Sequence, residues 1–406
     1  MKISKCRSCG SSSLIKCLNL GNQYLTGIFP KNQNEKVSKG NLSLVFCKNC
    51  SLLQSEQNFD RYEMYGSNYG YMSSLNSSMI DHLKNKSQKI KKISKLSKSD
   101  LIIDIGSNDG TFLSYFVDHC QTLGIDPTIS KFKKMYNKKI NIIDDFFSGE
   151  ILKKNSIRKA KVITSISMFY DLEDPVTFAN EVNEALDKDG IWHFEQSYMP
   201  SMIKNTSYDT ICHEHLEYYS LKSIMYILSK SNFKIVDIEL NDINGGSFAL
   251  TVAKKKSKKF EESFLVDWLL NKEDSYKFNK IETLFDFKNK VFKHKKLLSE
   301  LILNLIDMKK KVLGYGASTK GNVILQFCEI DNKLINYIVD VNPFKKNRIT
   351  PGTNIKIISE NDFLRKKVDY LLVLPWHFKN HILKKEKKFI NNNGKFIFPL
   401  PDIEII

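Results

Sequence analysis

The sequence of 406 residues has no apolar run of about eighteen residues, the length that a membrane-spanning helix needs. Its N-terminal stretch, MKISKCRSCG, also lacks the apolar core of a secretory signal. These two absences predict a cytoplasmic protein that does not cross a membrane.

Arginine is scarce, since it supplies five of the 62 basic residues that give the chain its net charge of +17. Arginine is the side chain that binds guanine and phosphate through two parallel hydrogen bonds. The lysines are scattered along the chain in runs such as KNKSQKIKK and KKEKK. We therefore expect a lysine-coated surface and no nucleic-acid partner. A polyanion-binding face is the alternative.

Four of the eight cysteines stand in two pairs with the spacing CxxC, and 37 residues separate the pairs. Two such turns can hold one ion in a tetrahedron of sulfurs, and a glycine, Gly10, follows the first pair. Four sulfur ligands leave no open position, so we expect structural zinc rather than catalytic zinc. Four reduced cysteines without metal are the alternative. The expected ligands are Cys6, Cys9, Cys47 and Cys50.

The length of the chain predicts two or three domains. From Leu101 onward strand and helix signals alternate, as in LIIDIG, TFLSYF and QTLGID, which is typical of a doubly wound sheet. A helical, glycine-free segment follows, and a second alternating unit begins at Lys311. The expected fold class is α/β. The predicted division is a zinc-binding domain (1–60), a first Rossmann-like domain (61–255), linking helices (256–310) and a second Rossmann-like domain (311–406).

The turn DIGSNDG, residues 104–110, resembles the first motif of class I methyltransferases, which use S-adenosylmethionine. Gly106 lets the backbone approach the ligand, and Asp104 can meet its ammonium group. Asp126 ends the next strand, where an acid can accept both ribose hydroxyls. A sheet whose turn merely needs glycines is the alternative. The expected cofactor residues are Asp104, Gly106, Ser107, Asn108, Gly110, Asp126, Asp145 and Phe146, the last two beside the adenine.

A second glycine-rich turn, GYGASTKG, covers residues 314–321, and Asp340 ends the strand that follows it. Thr319 occupies the position of the third glycine in a dinucleotide-binding fingerprint. We therefore expect a Rossmann-like cap that helps to hold the substrate, rather than an NAD site.

The segment TICHEHLEYYS, residues 210–220, concentrates titratable side chains. His213 and His215 would share one face of a strand, where they could ligate a metal. They could also form a buried structural pair. General acid–base chemistry is the favoured interpretation, because histidine titrates near neutral pH and Glu214 could orient it.

The order of these motifs resembles that of the nucleotide-sugar C-methyltransferases: two CxxC pairs, YxYxSS, DIGSNDG, an EHxxY segment, NGGS and GYGAS. The resemblance covers nearly the whole chain. It implies a zinc-binding domain, a class I methyltransferase domain and a C-terminal Rossmann-like domain. It also implies a nucleoside-diphosphate 4-keto sugar as substrate and an enolate that attacks the sulfonium methyl. The residues that match the family's catalytic groups are His215 as base, Glu214, and Tyr71 or Tyr69.

One position departs from the family. Some members carry a tyrosine two residues before the glutamate, where this chain has Cys212. Either His213 or Tyr218 takes that role, or the substrate differs. The expected substrate-binding residues are His213 and the turn Asn244, Gly245, Gly246 and Ser247, for which a plain hairpin turn is the alternative.

Two other functions fit parts of the pattern. Zinc, basic charge and the same cofactor would suit an RNA methyltransferase. A protein that kept the cofactor fold without catalysis would also carry these motifs. The sequence predicts neither the sugar nor the oligomeric state.

Overall fold

The computed structural model describes residues 2–65, 70–363 and 368–406. These residues form three β-sheets. No helix in the described part of the chain is long and apolar enough to span a bilayer. The division of the chain into domains remains a prediction, because one strand and the linking helices join the three sheets.

The N-terminal sheet is antiparallel and has the strand order β1-β2-β3-β9. Its first three strands are followed by a short helix and then by a long one. Their bounds are β1 Leu14–Tyr24, β2 Lys39–Cys47, β3 Leu53–Ser55, α1 Arg61–Met64 and α2 Ser77–Ser94. The fourth strand, Glu217–Tyr218, comes from the histidine-containing segment and pairs with β3. The zinc-bearing unit and the candidate catalytic segment therefore share one sheet.

The central sheet has seven strands in the order β10-β11-β8-β7-β4-β5-β6, and β10 and β11 are antiparallel to their neighbours. Near-continuous apolar runs form its middle, and all five residues of LIIDI are buried, as expected for strands covered on both faces. The strands are β4 Leu101–Ile105, β5 Gln121–Ile125, β6 Asn141–Ile143, β7 Ala160–Ile166, β8 Leu186–Ser197, β10 Phe233–Asn241 and β11 Ser247–Lys254.

Helices cover both faces of this sheet. One face packs against α2, and the other packs against α6, α8 and α9. The helices are α3 Thr111–Ser114, α4 Ile129–Phe132, α5 Gly149–Lys154, α6 Pro175–Ala185, α7 Met199–Lys204, α8 Leu221–Lys230 and α9 Leu265–Ser275. Strand order reverses at β4, so the crevice beyond its carboxyl end is where such a fold binds ligands.

The third sheet is parallel apart from its last strand and has the order β14-β13-β12-β15-β16-β17. The long helix α10 buries one apolar stripe against β1 and β12, so one hydrophobic core runs from the first sheet to the third. The elements are α10 Ile281–Asp307, β12 Val312–Tyr315, α11 Thr319–Phe327, β13 Tyr337–Val339, β14 Lys356–Ile358, α12 Glu360–Phe363, β15 Tyr370–Val373, α13 Lys379–Lys385, α14 Lys387–Asn391, β16 Lys395–Phe398 and β17 Glu404–Ile405.

Candidate active site

A cavity of about 830 Å³ opens where the three sheets meet. Its wall includes Gly27 from the first sheet, the loop after β4, the histidine-containing segment and the start of α11. All three parts of the chain therefore enclose one space, which is large enough for a nucleoside and a second ligand.

The loop after β4 forms one end of this cavity. Gly106 and Gly110 have φ angles of +75° and +76°, which a side chain would strain. A Cβ atom on Gly110 would also lie 2.8 Å from the Tyr136 ring. The hydroxyl of Tyr136 donates to Asn108 O at 2.8 Å. The loop is held in a fixed shape with its backbone facing the cavity.

Asp104 and Asp126 supply the carboxylates of this end, and both line the cavity. Asp104 accepts a hydrogen bond from Thr164 Oγ1 at 2.6 Å, and burial raises its pKa to about 7. An ammonium group beside it would stabilise the charged form. Asp126 accepts hydrogen bonds from Asn108 N and Thr128 N, at 2.9 Å and 2.7 Å. The site therefore fits the amino-acid and ribose parts of S-adenosylmethionine.

Phe146 and Asp145, the residues predicted to contact adenine, follow β6 and line one side of the cavity. The Phe146 ring lies under the guanidinium of Arg61, 4.4 Å from its centroid, and meets the Tyr65 ring edge-on. Tyr65 donates to Asp171 Oδ2 at 2.7 Å. The segment from the zinc-bearing unit thus closes this side of the cavity, where adenine is predicted to bind.

His215 lines the cavity and has a defined tautomer. Its Nδ1–H donates to Thr210 O at 2.8 Å, which leaves the lone pair on Nε2. The ring packs on Tyr170 with centroids 4.1 Å apart. Burial, followed by the positive charge of Lys320, lowers the pKa of His215 to about 3, so the imidazole is neutral at pH 7.

Glu214 is buried in the same wall, and burial raises its pKa. Its carboxylate lies directly over Gly27, where a Cβ atom would be 2.1 Å from Oε1. Thr319 Oγ1 is also close to this point, at 3.6 Å. Only a glycine at position 27 leaves room for this carboxylate beside the base.

Tyr71 lines the cavity with 48% of its surface exposed. Asn108 connects it to the cofactor loop, because Asn108 Nδ2 donates to Tyr71 O at 3.2 Å and Ser73 N donates to Asn108 Oδ1 at 3.0 Å. The alternative candidate, Tyr69, lies outside the described residues. Tyr71 therefore lies in the cavity wall beside the loop that follows β4.

Several residues predicted to contact ligands lie away from the cavity wall. The described lining includes Ser107 and Asn244 but not Gly110, Gly245, Gly246 or Ser247. His213 is fully buried with its ring 4.7 Å from that of Phe59, on the side of the first sheet. The chain bends at His213 and Glu214 instead of continuing as a strand, so His215 lines the cavity and His213 does not.

Tyr218 is also turned away, since its hydroxyl donates to His215 O at 3.1 Å. His213 and Tyr218 were the two candidates for the role of the family's tyrosine at position 212. Neither of them belongs to the described lining of the cavity. Cys212 itself is part of that lining.

Sequence reasoning missed the basic groups that the third sheet brings to the cavity. Lys320 lies in the first turn of α11, Lys345 follows β13, and His377 follows β15. All three line the cavity. The lysine inside GYGASTKG was the available signal, but only folding shows that it faces the same space as His215.

The four paired cysteines form the metal site. The Sγ atoms of Cys6 and Cys50 lie 3.5 Å apart, as do those of Cys9 and Cys47, and all four fall within 4.8 Å of one another. Sulfurs about 2.3 Å from one zinc ion would lie at roughly these separations. Gly10 and Ser51, which follow the two pairs, have φ angles of +71° and +62°. Two equivalent turns therefore fit a closed Cys₄ zinc site.

Arg7 links this metal site to the cavity. Its side chain is 3% exposed and donates to Ser55 O at 2.7 Å and Gln57 O at 3.1 Å. Asn58, the residue after Gln57, donates through Nδ2 to Glu173 Oε2 at 2.7 Å. The zinc turn therefore holds the start of the segment that closes the adenine side.

Comparisons with known proteins agree with this arrangement. A C-methyltransferase C-terminal domain matches residues 242–401, a zinc binding domain matches residues 6–65, and a methyltransferase domain matches residues 79–238. The chain is covered over most of its length by these three matches. It is an S-adenosylmethionine-dependent methyltransferase with a zinc-binding domain, which confirms the predicted activity class and both cofactors.

This C-methyltransferase is similar over its whole length to C-methyltransferase NovU of Streptomyces niveus. The two are 27% identical over 409 residues, which cover 100% of this chain and 97% of NovU. Among solved structures it is similar to an S-adenosylmethionine-dependent methyltransferase from Clostridium acetobutylicum, at 12% identity and a TM-score of 0.36 over 43% of this chain and 92% of that one. A methyltransferase from Bacillus halodurans gives 11% identity and a TM-score of 0.35 over 43% and 100%.

Proposed function

We propose that this C-methyltransferase transfers a methyl group to the carbon beside the ketone of a nucleotide-linked sugar. The observation that carries the proposal is the tautomer of His215. Its Nδ1–H is held by Thr210 O at 2.8 Å, and the free lone pair of Nε2 faces the same cavity as Asp104 and Asp126. A base and a cofactor site in one cavity are what carbon methylation requires.

When bound, S-adenosylmethionine supplies an electrophilic methyl group. His215 Nε2 would take the proton from the ketone-adjacent carbon, and the electron pair of the broken C–H bond would pass into an enolate. The enolate carbon would then form the new C–C bond, while the pair of the broken C–S bond stays on sulfur. His215 would end as an imidazolium ion and release its proton to water.

Tyr71 and Glu214 would support the base. The Tyr71 hydroxyl is a donor at neutral pH, because a phenol stays protonated well above pH 7. Asn108 fixes its backbone against the cofactor loop. Glu214 is buried beside His215, where its carboxyl group can orient the substrate or stabilise the imidazolium. Placement by these groups would convert a bimolecular step into one within a single complex.

The mouth of the cavity offers a site for a diphosphate. Ser318 caps the nine-residue helix α11, whose N-terminus carries a partial positive charge. Lys345 lies beside it, with Nζ donating to Ala317 O at 2.6 Å and lying 4.5 Å from the centroid of the Phe29 ring. Lysine and a helix N-terminus are a common combination for phosphate binding, which favours a nucleoside-diphosphate sugar over a free sugar.

The similarity to C-methyltransferase NovU supports transfer to carbon. We keep as predictions that the protein works in the cytoplasm, that nucleic acid is not its partner, and that the four parts of the chain have the bounds given above.

The test is incubation of the zinc-loaded protein with methyl-labelled S-adenosylmethionine and a panel of dTDP-, UDP- and GDP-linked 4-keto-6-deoxy sugars. We expect one sugar nucleotide to gain one methylene unit by mass spectrometry, with the label on carbon. Label that appears on oxygen, or in RNA but in no sugar of the panel, would contradict the proposal.

A further inference from the structure

Lys320 is a basic residue that the C-terminal part of the chain brings to the cavity. It lies in the first turn of α11, and its Nζ donates to Asn244 O at 2.6 Å. It lines the same cavity as His215 and Glu214. The bond to Asn244 fixes the ammonium group between the second and third sheets, where the substrate would lie.

The ammonium group of Lys320 is incompletely paired. In the described part of the chain, no carboxylate oxygen lies within 4.0 Å of Lys320 Nζ. Other lysines of the chain do pair with a carboxylate within this distance. Asp209 is the acid whose charge acts on it, and Asp209 Oδ2 already accepts from Trp376 Nε1 at 2.8 Å. An ammonium group has three donors. Lys320 uses one on Asn244, so two remain for a ligand.

We propose that Lys320 is a catalytic residue that donates a hydrogen bond to the ketone oxygen of the substrate while that oxygen becomes an enolate. This inference rests on the proposed function. As His215 Nε2 takes the proton, the C–H pair becomes the new C=C bond and the carbonyl π pair moves onto oxygen. Lys320 keeps its own protons and stabilises the negative charge through N–H···O bonds.

The position of the charge supports this role. The positive charge of Lys320 lowers the pKa of both His215 and His377, after the larger effect of burial. Its field therefore reaches the base. The carbon that loses a proton must contact Nε2, and its ketone oxygen is two bonds away. A cation this close to the base is thus close to the developing oxyanion.

Two other groups of the cavity lining are less suited to this role. Cys212 is a buried thiol, and a thiol donates only weak hydrogen bonds. Lys345 donates to Ala317 O on the far side of Ser318, nearer to Phe29. Lys320 is therefore the lysine beside the base, and Lys345 is the lysine at the mouth of the cavity.

The experiment compares Lys320→Met and Lys320→Arg with the wild type in three assays. The first is binding of dTDP, UDP and GDP by calorimetry. The second is washout of deuterium from the ketone-adjacent carbon in the presence of S-adenosylhomocysteine, which reports enolisation without methyl transfer. The third is methyl transfer itself. Lys296→Met, an exposed lysine on α10, is the matched control.

For Lys320→Met we expect enolisation and kcat to fall about 10²–10³-fold, as for removal of one oxyanion donor, while the Kd for the nucleoside diphosphate changes less than threefold. Lys320→Ala with added ethylammonium should recover part of the washout rate, which a misfolded variant could not do. Unchanged washout at saturating substrate, with weaker nucleoside diphosphate binding, would overturn this inference alone. Absence of washout in the wild type would overturn the proposed function as well.

Discussion

The contact between Gly27 and Glu214 gives a sharp test of the proposed site. A Cβ atom on residue 27 would lie 2.1 Å from Glu214 Oε1 and 3.4 Å from its carboxyl carbon. An unstrained C···O contact needs about 3.2 Å, so the carboxylate of Gly27→Ala must move by roughly 1 Å. A misplacement of that size near the reacting atoms costs about 10²-fold in rate, which is roughly 2.7 kcal/mol of barrier.

The fold should tolerate the same change. The obstructing atom is the end of a flexible side chain, and replacing glycine by alanine reduces the entropy of the unfolded chain by about 0.4–1 kcal/mol. We therefore expect kcat to fall about 100-fold while the unfolding midpoint and zinc content stay close to those of the wild type. Gly149→Ala is the control, because the nearest atom to its new Cβ is 3.4 Å away. A Gly27→Ala enzyme with kcat within twofold of the wild type would refute the placement of Glu214 beside the substrate.

Three further predictions concern the base, the metal and pH. His215→Gln should lower the rate of methyl transfer by about 10³-fold and leave the binding of S-adenosylhomocysteine unchanged. If the steady-state rate falls by less than about tenfold, His215 is not the base. Elemental analysis should find one zinc ion per chain in the wild type and none in Cys47→Ala. The thermal unfolding midpoint of this variant should also fall, because metal binding contributes directly to folding. A Cys47→Ala protein that keeps its zinc would contradict the site. Burial lowers the pKa of His193 to about 3, so protonation of this side chain in the unfolded chain favours unfolding below pH 6.5, whereas buried carboxyls with raised pKa values, such as Asp104, act in the opposite direction. The free energy of unfolding of His193→Gln relative to that of the wild type should therefore rise from pH 7.5 to pH 5.0 in urea titrations with saturating zinc, and a constant or falling difference would contradict this reasoning.

Local patterns in the sequence were sufficient for the features that depend on neighbours in the chain. The CxxC pairs predicted the zinc site, because the turn that brings two sulfurs together lies within four residues. The run LIIDI followed by glycine predicted β4 and its ligand-facing loop, since buried parallel strands are apolar throughout. The acid at the end of β5 could be placed beside that loop for the same reason.

Orientation within the histidine-containing segment could not be predicted in this way. His213 and His215 were expected on one face, yet one packs on Phe59 and the other lines the cavity. The reason is that the segment bends out of the central sheet to add a strand to the zinc-bearing sheet at Gln54 and Glu217. Pairing between strands more than 160 residues apart leaves no local trace in the sequence.

The sequence by itself determined which chemical groups this methyltransferase carries: four thiols in two turns, a glycine loop with two acids, a histidine beside a glutamate, and a lysine after a third glycine turn. Only the tertiary structure decided which of them meet. Lys320 and His215 line one cavity, and Gly27 makes room for Glu214, because hydrophobic burial packs three sheets around that cavity. That packing depends on the summed apolar surface of the whole chain rather than on any single motif, so contacts across the cavity follow from the fold.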